Sequence, residues 1–266
     1  MSVLLIIPAR YASNRFPGKP LANLTGSGGT TKPLIERTWL AAQAVKGVDR
    51  VVVATDDERI AAASKRFGAE VIMTSSECRN GTERCAEAML NLEKTPELVV
   101  NLQGDAPLTP PWFIESLLEG MQSTATASVA TPVLRCDGAA MNALMQDRKA
   151  GRVGGTTAVV DHHFLALYFS KEVIPFTKQK FDDHEQSPVF HHVGVYAYRP
   201  DALTQYLSWS VGTLEAQEEL EQLRFLENGS RILCVPVDAR GRLFWELNNP
   251  EDVPKIESMM ADMGME

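Results

Sequence analysis

Three cations spaced along one short loop are the residues of this chain best suited to chemistry. Arg10, Arg15 and Lys19 lie in IIPARYASNRFPGKPL, from Ile6 to Leu21, with Ala9, Ala12, Ser13, Pro17 and Gly18 between them. A di- or triphosphate needs backbone N–H groups at close range and several fixed positive charges. A tight loop at the carboxyl end of a parallel strand supplies both. The same residues also read as a solvated basic turn, and the chain has neither a Walker signature nor a GxGxxG to decide the matter. The second chemical candidate is Asp105, which follows the apolar run 98–102 in the turn Gln103-Gly104-Asp105. A carboxylate there is exposed at the carboxyl edge of a sheet, where one Asp with phosphate oxygens and waters can begin a magnesium site. The plainer alternative is that Asp105 caps its own turn.

The elements that must position these residues follow from local pattern. Val3-Leu4-Leu5-Ile6-Ile7 has the length and composition of a buried strand, and Pro8, with no N–H, is expected to end its ladder. The Gly/Ser/Thr cluster 23–32 reads as an exposed turn or flexible connection. Leu34, Ile35, Trp39, Leu40 and Ala44 give segment 33–45 one apolar helical face. A strand over 51–54, acids and a hydroxyl at 55–58 capping a helix over 59–67, a strand over 70–73, and a helix opened by Asn80-Gly81-Thr82-Glu83-Arg84 complete the alternation before strand 98–102. Such alternation with short connections predicts an α/β fold, a doubly wound, mostly parallel sheet. The second half is less regular. Strands are expected over 127–132, 156–161, 193–198 and 232–235, helices over 203–209, 214–227 and 250–260, and a loop or arm over 177–188.

Composition excludes several classes. With 34 acidic and 26 basic residues, the net charge of −8 argues against a nucleic-acid partner, whose binders usually present a basic face. No apolar run reaches the length of a membrane span, and Met1-Ser2 leads straight into a strand with no basic n-region, so a cytoplasmic address is expected. Cys78, Cys85, Cys136 and Cys234 lack CxxC spacing, which argues for free thiols and against zinc.

The loop PARYASNRFPGKPL resembles the nucleotide-binding loop of the sugar-acid cytidylyltransferases, in particular the 3-deoxy-manno-octulosonate (Kdo) cytidylyltransferase family. Four further segments agree in order and spacing: Ala54-Thr55-Asp56, Gly81-Thr82-Glu83-Arg84, Gln103-Gly104-Asp105 with Pro107, and His192-Val193-Gly194-Val195-Tyr196 with Leu220-Glu221-Gln222-Leu223-Arg224 beyond. The resemblance covers nearly the whole chain. It implies a Rossmann-like nucleotidyltransferase fold of the nucleotide-diphospho-sugar transferase type: one domain over 1–266, nucleotide-binding to about 125, with a smaller sugar-binding and dimerisation part after it. It also implies a magnesium-dependent homodimer that makes a CMP-sugar and pyrophosphate from CTP and Kdo or a Kdo-like 3-deoxy-ulosonic acid, for lipopolysaccharide or capsule synthesis. The catalytic positions it implies are Arg10, Arg15, Lys19 and Asp105. Nucleotide binding would fall to Pro8, Ala9, Arg10, Lys19, Asn80, Gly81, Thr82, Arg84 and Gln103. Gln103, Lys171, His192, Glu221 and Gln222 would hold the sugar. Metal ligands would be Asp105 and the position of Asn248, with Glu246 as a substitute.

The chain departs from the family pattern at several of these places. Ala106 stands where Glu is common, Thr157 where Lys, Lys171 and His191 where Arg, and Asn248 where Asp is the second metal ligand. An amide lacks the charge of a carboxylate, and Lys lacks the bidentate fork of Arg. Thr82 and Glu83 also fit plain helix capping, and His192 a structural role. Two alternatives stay open: a paralogue acting on a different acidic sugar, and a nucleotide-binding regulatory protein without turnover.

Overall fold

The computed structural model describes residues 1–13, 15–242 and 245–266. In chain order its elements are β1 (Val3–Ala9), β2 (Asn23–Thr25), β3 (Thr31–Pro33), α1 (Leu34–Gln43), β4 (Arg50–Thr55), α2 (Glu58–Arg66), β5 (Glu70–Met73), α3 (Gly81–Leu90), β6 (Leu98–Leu102) and α4 (Pro111–Ser123). There follow β7 (Val129–Asp137), α5 (Gly138–Lys149), β8 (Thr156–Val160), β9 (Ala166–Ser170), β10 (Gln186–His192), β11 (Val195–Tyr198), α6 (Pro200–Ser208), α7 (Thr213–Glu218), α8 (Leu223–Glu227), β12 (Ile232–Pro236) and α9 (Val253–Asp262). They divide into two units. The first comprises Met1–Glu115, Tyr198–Thr204 and Ala239–Glu266, the second Ser116–Ala197 and Gln205–Asp238.

The sheet of the first unit has strand order β5-β4-β1-β6, and β1 pairs in parallel with both β4 and β6. All of β1 and β6 is buried, as continuous apolar runs in a sheet covered on both faces must be. The order of connection reverses between β1 and β6. A crevice outside their carboxyl ends is where open α/β sheets bind ligands. The loop after β1 carries the three cations, and the turn after β6 carries Asp105. Helix α2 illustrates the local logic. The Asp57 carboxylate accepts from the backbone N–H of Arg59 and Ile60, Ile60, Ala61 and Ala63 are buried, and Lys65 and Arg66 meet the negative end of the helix.

Two expectations for this unit need correction. Pro8 does not end the ladder: β1 continues to Ala9, and Pro8 and Ala9 lie opposite Ala54 and Thr55 of β4. The Pro8 carbonyl faces the Gly104 side, where pairing with β6 has already stopped at Ile6, so the missing N–H points to a side with no ladder left to break. Segment 23–33 is an antiparallel hairpin of β2 and β3 rather than a loose connection. It is pinned by Arg37, which donates to the carbonyls of Leu24 and Thr30, and Leu24 packs with Leu34, Leu108, Leu247, Ile256 and Met260. Helix α4 has a clear signal that sequence reading passed over: Pro111 in its first turn and buried Phe113, Ile114, Leu117, Leu118 and Met121.

In the second unit β7 is the common partner, parallel to β12 and antiparallel to β10, with β8 and β9 continuing in antiparallel order. Helix α5 and strands β9 and β10 were not foreseen. β10 begins inside the stretch expected as an arm, because the Ser187 hydroxyl donates to the Cys136 carbonyl at 2.8 Å and Val189 is buried. The single helix expected over 214–227 is two, α7 and α8, parted by Glu219 in the left-handed region at φ 52°. The break lets fully buried Arg224 of α8 turn back to Glu215 of α7. Nε and Nη2 each donate to that carboxylate at 2.6 Å, and the guanidinium lies 4.1 Å from the centre of the Tyr206 ring.

A buried guanidinium without its counter-charge is costly. Glu215→Ala is therefore expected to lower the unfolding free energy by about 3–5 kcal/mol, measured by urea titration, and Glu215→Gln by less because it keeps an acceptor.

Candidate functional site

The first unit brings together five of the expected residues. Nζ of Lys19 donates to Oδ2 of Asp105 at 2.5 Å, with 15% and 24% of the two side chains exposed. The backbone N–H of Leu247 donates to the Asp105 carbonyl at 2.9 Å, which lays segment 246–248 beside the turn. Nη2 of Arg15 donates to Oδ1 of Asn248 at 3.2 Å. The Asn248 amide also hydrogen-bonds the Glu246 carboxyl, and Glu246 is close enough to Asp105 to feel its charge. Burial first, then the Asp105 charge, pushes the Glu246 carboxyl up to about 7. Arg10 is exposed at the end of β1. Asp252 ties segment 246–249 down: its carboxylate accepts from the N–H of Asn248 and Asn249 and from Nε1 of Trp245. Leu247 acts through its backbone N–H, which no side-chain signal records, while the Asp252 carboxylate belongs to a capping box with Asn249 that the sequence reading passed over.

These donors fit a hard divalent cation. Two carboxylates that repel one another, with a neutral amide oxygen alongside, form an oxygen set that an added positive charge would relieve. Among the described residues no group of three or more His, Cys, Asp or Glu side chains gathers into a metal cage, so phosphate oxygens and water would have to complete the coordination.

At the start of α3 the capping reading of the sequence is found. The Asn80 side chain accepts from the N–H of Glu83 at 2.8 Å, and the Glu83 carboxylate accepts from the N–H of Arg79 at 2.8 Å, so both are capping groups. A Cβ on residue 81 would stand 2.9 Å from Nε2 of Gln103, so Gly81 allows the Gln103 amide to lie against the first turn. Thr82 is buried and shares a hydrogen bond of 2.9 Å with the Tyr198 hydroxyl. Arg84 does not face outward as a nucleotide ligand would. Its guanidinium, 3% exposed, donates to the Thr74 hydroxyl at 2.5 Å and lies 3.3 Å from Asp56, binding α3 to the ends of β4 and β5.

The second unit holds the other expected residues. Nζ of Lys171 pairs with Glu219 at 2.7 Å, while its N–H donates to Glu218, whose carboxylate also accepts from the Ser170 hydroxyl at 2.6 Å. Gln222 is buried, its Oε1 accepting from the Tyr196 hydroxyl at 3.2 Å and its Nε2 left without a partner. Glu221 is half-buried. His192 packs against Phe169 and Tyr196. The Thr131 hydroxyl faces the carbonyls of Val193 and Val195, so its hydrogen is directed to them, and Nε2–H of His192 donates to Thr131 Oγ1 at 2.9 Å. His192 is thus neutral with the proton on Nε2, leaving Nδ1 as an acceptor. Two departures from the family pattern are cross-strand neighbours: His191 of β10 lies opposite Thr157 of β8. Thr157 turns its hydroxyl to the Glu172 carbonyl at 2.7 Å, and burial lowers the His191 pKa, so this patch carries no charge near neutral pH.

Comparison with known proteins shows the family and the fold. The cytidylyltransferase family model matches residues 4–232. A 3-deoxy-manno-octulosonate cytidylyltransferase of Maricaulis maris is 44% identical over 264 residues, 99% of each chain. An 8-amino-3,8-dideoxy-manno-octulosonate cytidylyltransferase of a Shewanella species is 39% identical, over 98% of this chain and 99% of that protein. A solved structure of CMP:2-keto-3-deoxy-manno-octonic acid synthetase complexed with CTP superposes with a TM-score of 0.83 at 33% identity, over 99% of this chain and 100% of the other. The doubly wound, mostly parallel nucleotidyltransferase fold expected from the sequence is the one found. No helix among the described residues is long and apolar enough to cross a membrane.

Burial, followed by the neighbouring His191, pushes the His192 pKa down from 6.5 to about 3. The unfolded chain therefore takes up a proton below about pH 6.5 that the native state refuses. Native stability falls as pH drops through that window, by up to about 1.4 kcal/mol per unit for this one group. His192→Gln, which keeps a donor for Thr131 and does not titrate, is expected to lose less of its urea midpoint between pH 7 and pH 5 than the parent. Equal losses would mean that His192 protonates in the folded protein.

Proposed function

We propose that this chain, which belongs to the cytidylyltransferase family, makes CMP-Kdo and pyrophosphate from CTP and 3-deoxy-manno-octulosonate. The observation that carries the reading is the Lys19–Asp105 pair at 2.5 Å, set where the strand order reverses. The anomeric hydroxyl of the sugar acid attacks the α-phosphorus of CTP, the bond from that phosphorus to the bridging oxygen of the β-phosphate breaks, and the hydroxyl proton is lost to solvent. No nucleophilic side chain is required. Arg10, Arg15 and Lys19 hold the triphosphate and offset the charge that gathers on the departing pyrophosphate, a task of positioning and electrostatics. Asp105, Glu246 and Asn248 would hold a divalent ion, read here as magnesium, which when bound neutralises phosphate charge. Pro8, Ala9, Asn80, Gly81 and Gln103 frame the nucleoside end. Gln103, Lys171, His192, Glu221 and Gln222 are assigned to the sugar acid, with His192 supplying an acceptor. The assignment includes a cytoplasmic homodimer joined through the second half, serving lipopolysaccharide synthesis.

Pyrophosphate release with CTP and magnesium, followed across Kdo, its 8-amino analogue and neuraminic acid, tests this directly. Kdo is expected to be turned over fastest. CTP binding without release on any sugar would instead indicate a regulatory nucleotide-binding protein. Lys19→Ala and Asp105→Asn are each expected to lower turnover about a hundredfold or more, with melting temperatures near the parental value. The metal end has its own test. If the Glu246 carboxylate already supplies the second charge, Glu246→Gln raises the magnesium concentration for half-maximal rate sharply while Asn248→Asp changes it little. The reverse pattern would assign the role to position 248.

A further inference from the structure

The basic loop has a support that no part of the reaction scheme uses. Tyr11 follows Arg10 directly, and its carbonyl accepts from the N–H of Gly18 at 2.9 Å, closing the loop on itself. Gly18 is in the left-handed region at φ 72°, and a Cβ there would meet the Tyr11 ring at 2.9 Å. Glycine is required on both counts. On the ring lies the guanidinium of Arg59, from the first turn of α2, only 3.3 Å from the ring centre. Arg59 is itself held by Asp57, with Nε to Oδ1 at 3.0 Å and Nη2 to Oδ2 at 2.6 Å, and the same Oδ1 accepts from the Arg59 backbone N–H at 2.9 Å. One carboxylate therefore caps α2 and aims the arginine.

We infer that Arg59, aimed by Asp57 and stacked on Tyr11, is a positioning residue that holds the Arg10–Lys19 loop in its phosphate-binding curvature. With Nε and Nη2 both turned to Asp57 and its face against the Tyr11 ring, it acts through the ring and not as a further phosphate ligand. Tyr11 is fixed between Gly18 and Arg59, and Arg10 is its immediate neighbour. Flattening or releasing the ring frees the backbone whose N–H groups and flanking cations must converge on one anion. An exposed cation–π contact is modest, yet loop ordering of this size shifts an affinity measurably. The inference rests on the reading of this loop as a triphosphate site.

Two measurements separate the two claims. Titration calorimetry with CTP and magnesium on Arg59→Ala, Tyr11→Ala and the double variant is expected to show each single change weakening binding about three- to fivefold. The double should be no weaker than the worse single, while Tyr11→Phe, which keeps the ring, binds as the parent does. Additive losses in the cycle would overturn the inference, because Arg59 would then act independently of Tyr11. The second measurement needs no nucleotide: tryptic cleavage after Arg15, followed by mass spectrometry, is expected to accelerate in Arg59→Ala with an unchanged melting temperature. Unchanged cleavage overturns the inference whatever CTP does. Failure of the parental protein to bind CTP, with cleavage still accelerated, would count against the proposed function and leave the loop support standing.

Discussion

The close approach of the turn after β6 to the end of β1 is the constraint on which the rest of the site depends. A Cβ on Gly104 would lie 2.7 Å from the Pro8 carbonyl oxygen, so any larger residue would push the turn away. With glycine there, the Thr38 hydroxyl of α1 donates to the Gly104 carbonyl at 3.1 Å, and Asp105 comes within reach of Lys19. The parallel pairing of β1 with β6 sets the direction in which both connections leave the sheet, and glycine sets how near they come.

Around that contact the charges are shared out so that few are wasted. Lys19 and Asp105 neutralise each other, Arg15 leans on a neutral amide, and Arg59 is matched by Asp57. An arriving polyphosphate and its cation would meet groups already in place, which is how preorganised charge lowers a barrier without reorganising at the moment of reaction. Arg84 shows the opposite use of a cation. Buried with Asp56 and Thr74, it fixes where α3 begins, and hence where Gly81 meets the Gln103 amide.

The second unit achieves its order by hydrogen bonds to neutral groups. His192 is held by a threonine whose own proton is committed to two carbonyls, and Glu218 by a hydroxyl and a backbone N–H. A histidine kept neutral in this way offers a fixed acceptor rather than a charge that varies with pH. The pairing of His191 with Thr157 across β10 and β8 places two uncharged side chains together. The unusual residues at these positions are thus one local arrangement, not two independent losses.

Much of the first unit was legible in the chain by itself. Apolar runs at 3–7, 51–54 and 98–102 are long enough for strands and too short for helices, and Asp57 and Asn80 mark helix starts by chemistry that acts over two or three residues. The loop Arg10–Lys19 and Asp105 could be named because their residue types carry charge at the ends of such runs. What the chain could not disclose depends on partners distant in sequence. Pro8 continues a strand because its missing N–H faces the side where the ladder has ended. Residues 214–227 form two helices because Arg224 must reach Glu215, and the periodicity of the stretch has no means of recording that demand. Glu246 owes its raised pKa to burial and to Asp105, 141 positions away. Short-range propensity determined the alternating strands and helices of the first half and the identity of its charged loop. Long-range burial and the register of the strands decided which charges stay at the surface, as Arg10 does, and which hold the fold together, as Arg84 and Arg224 do.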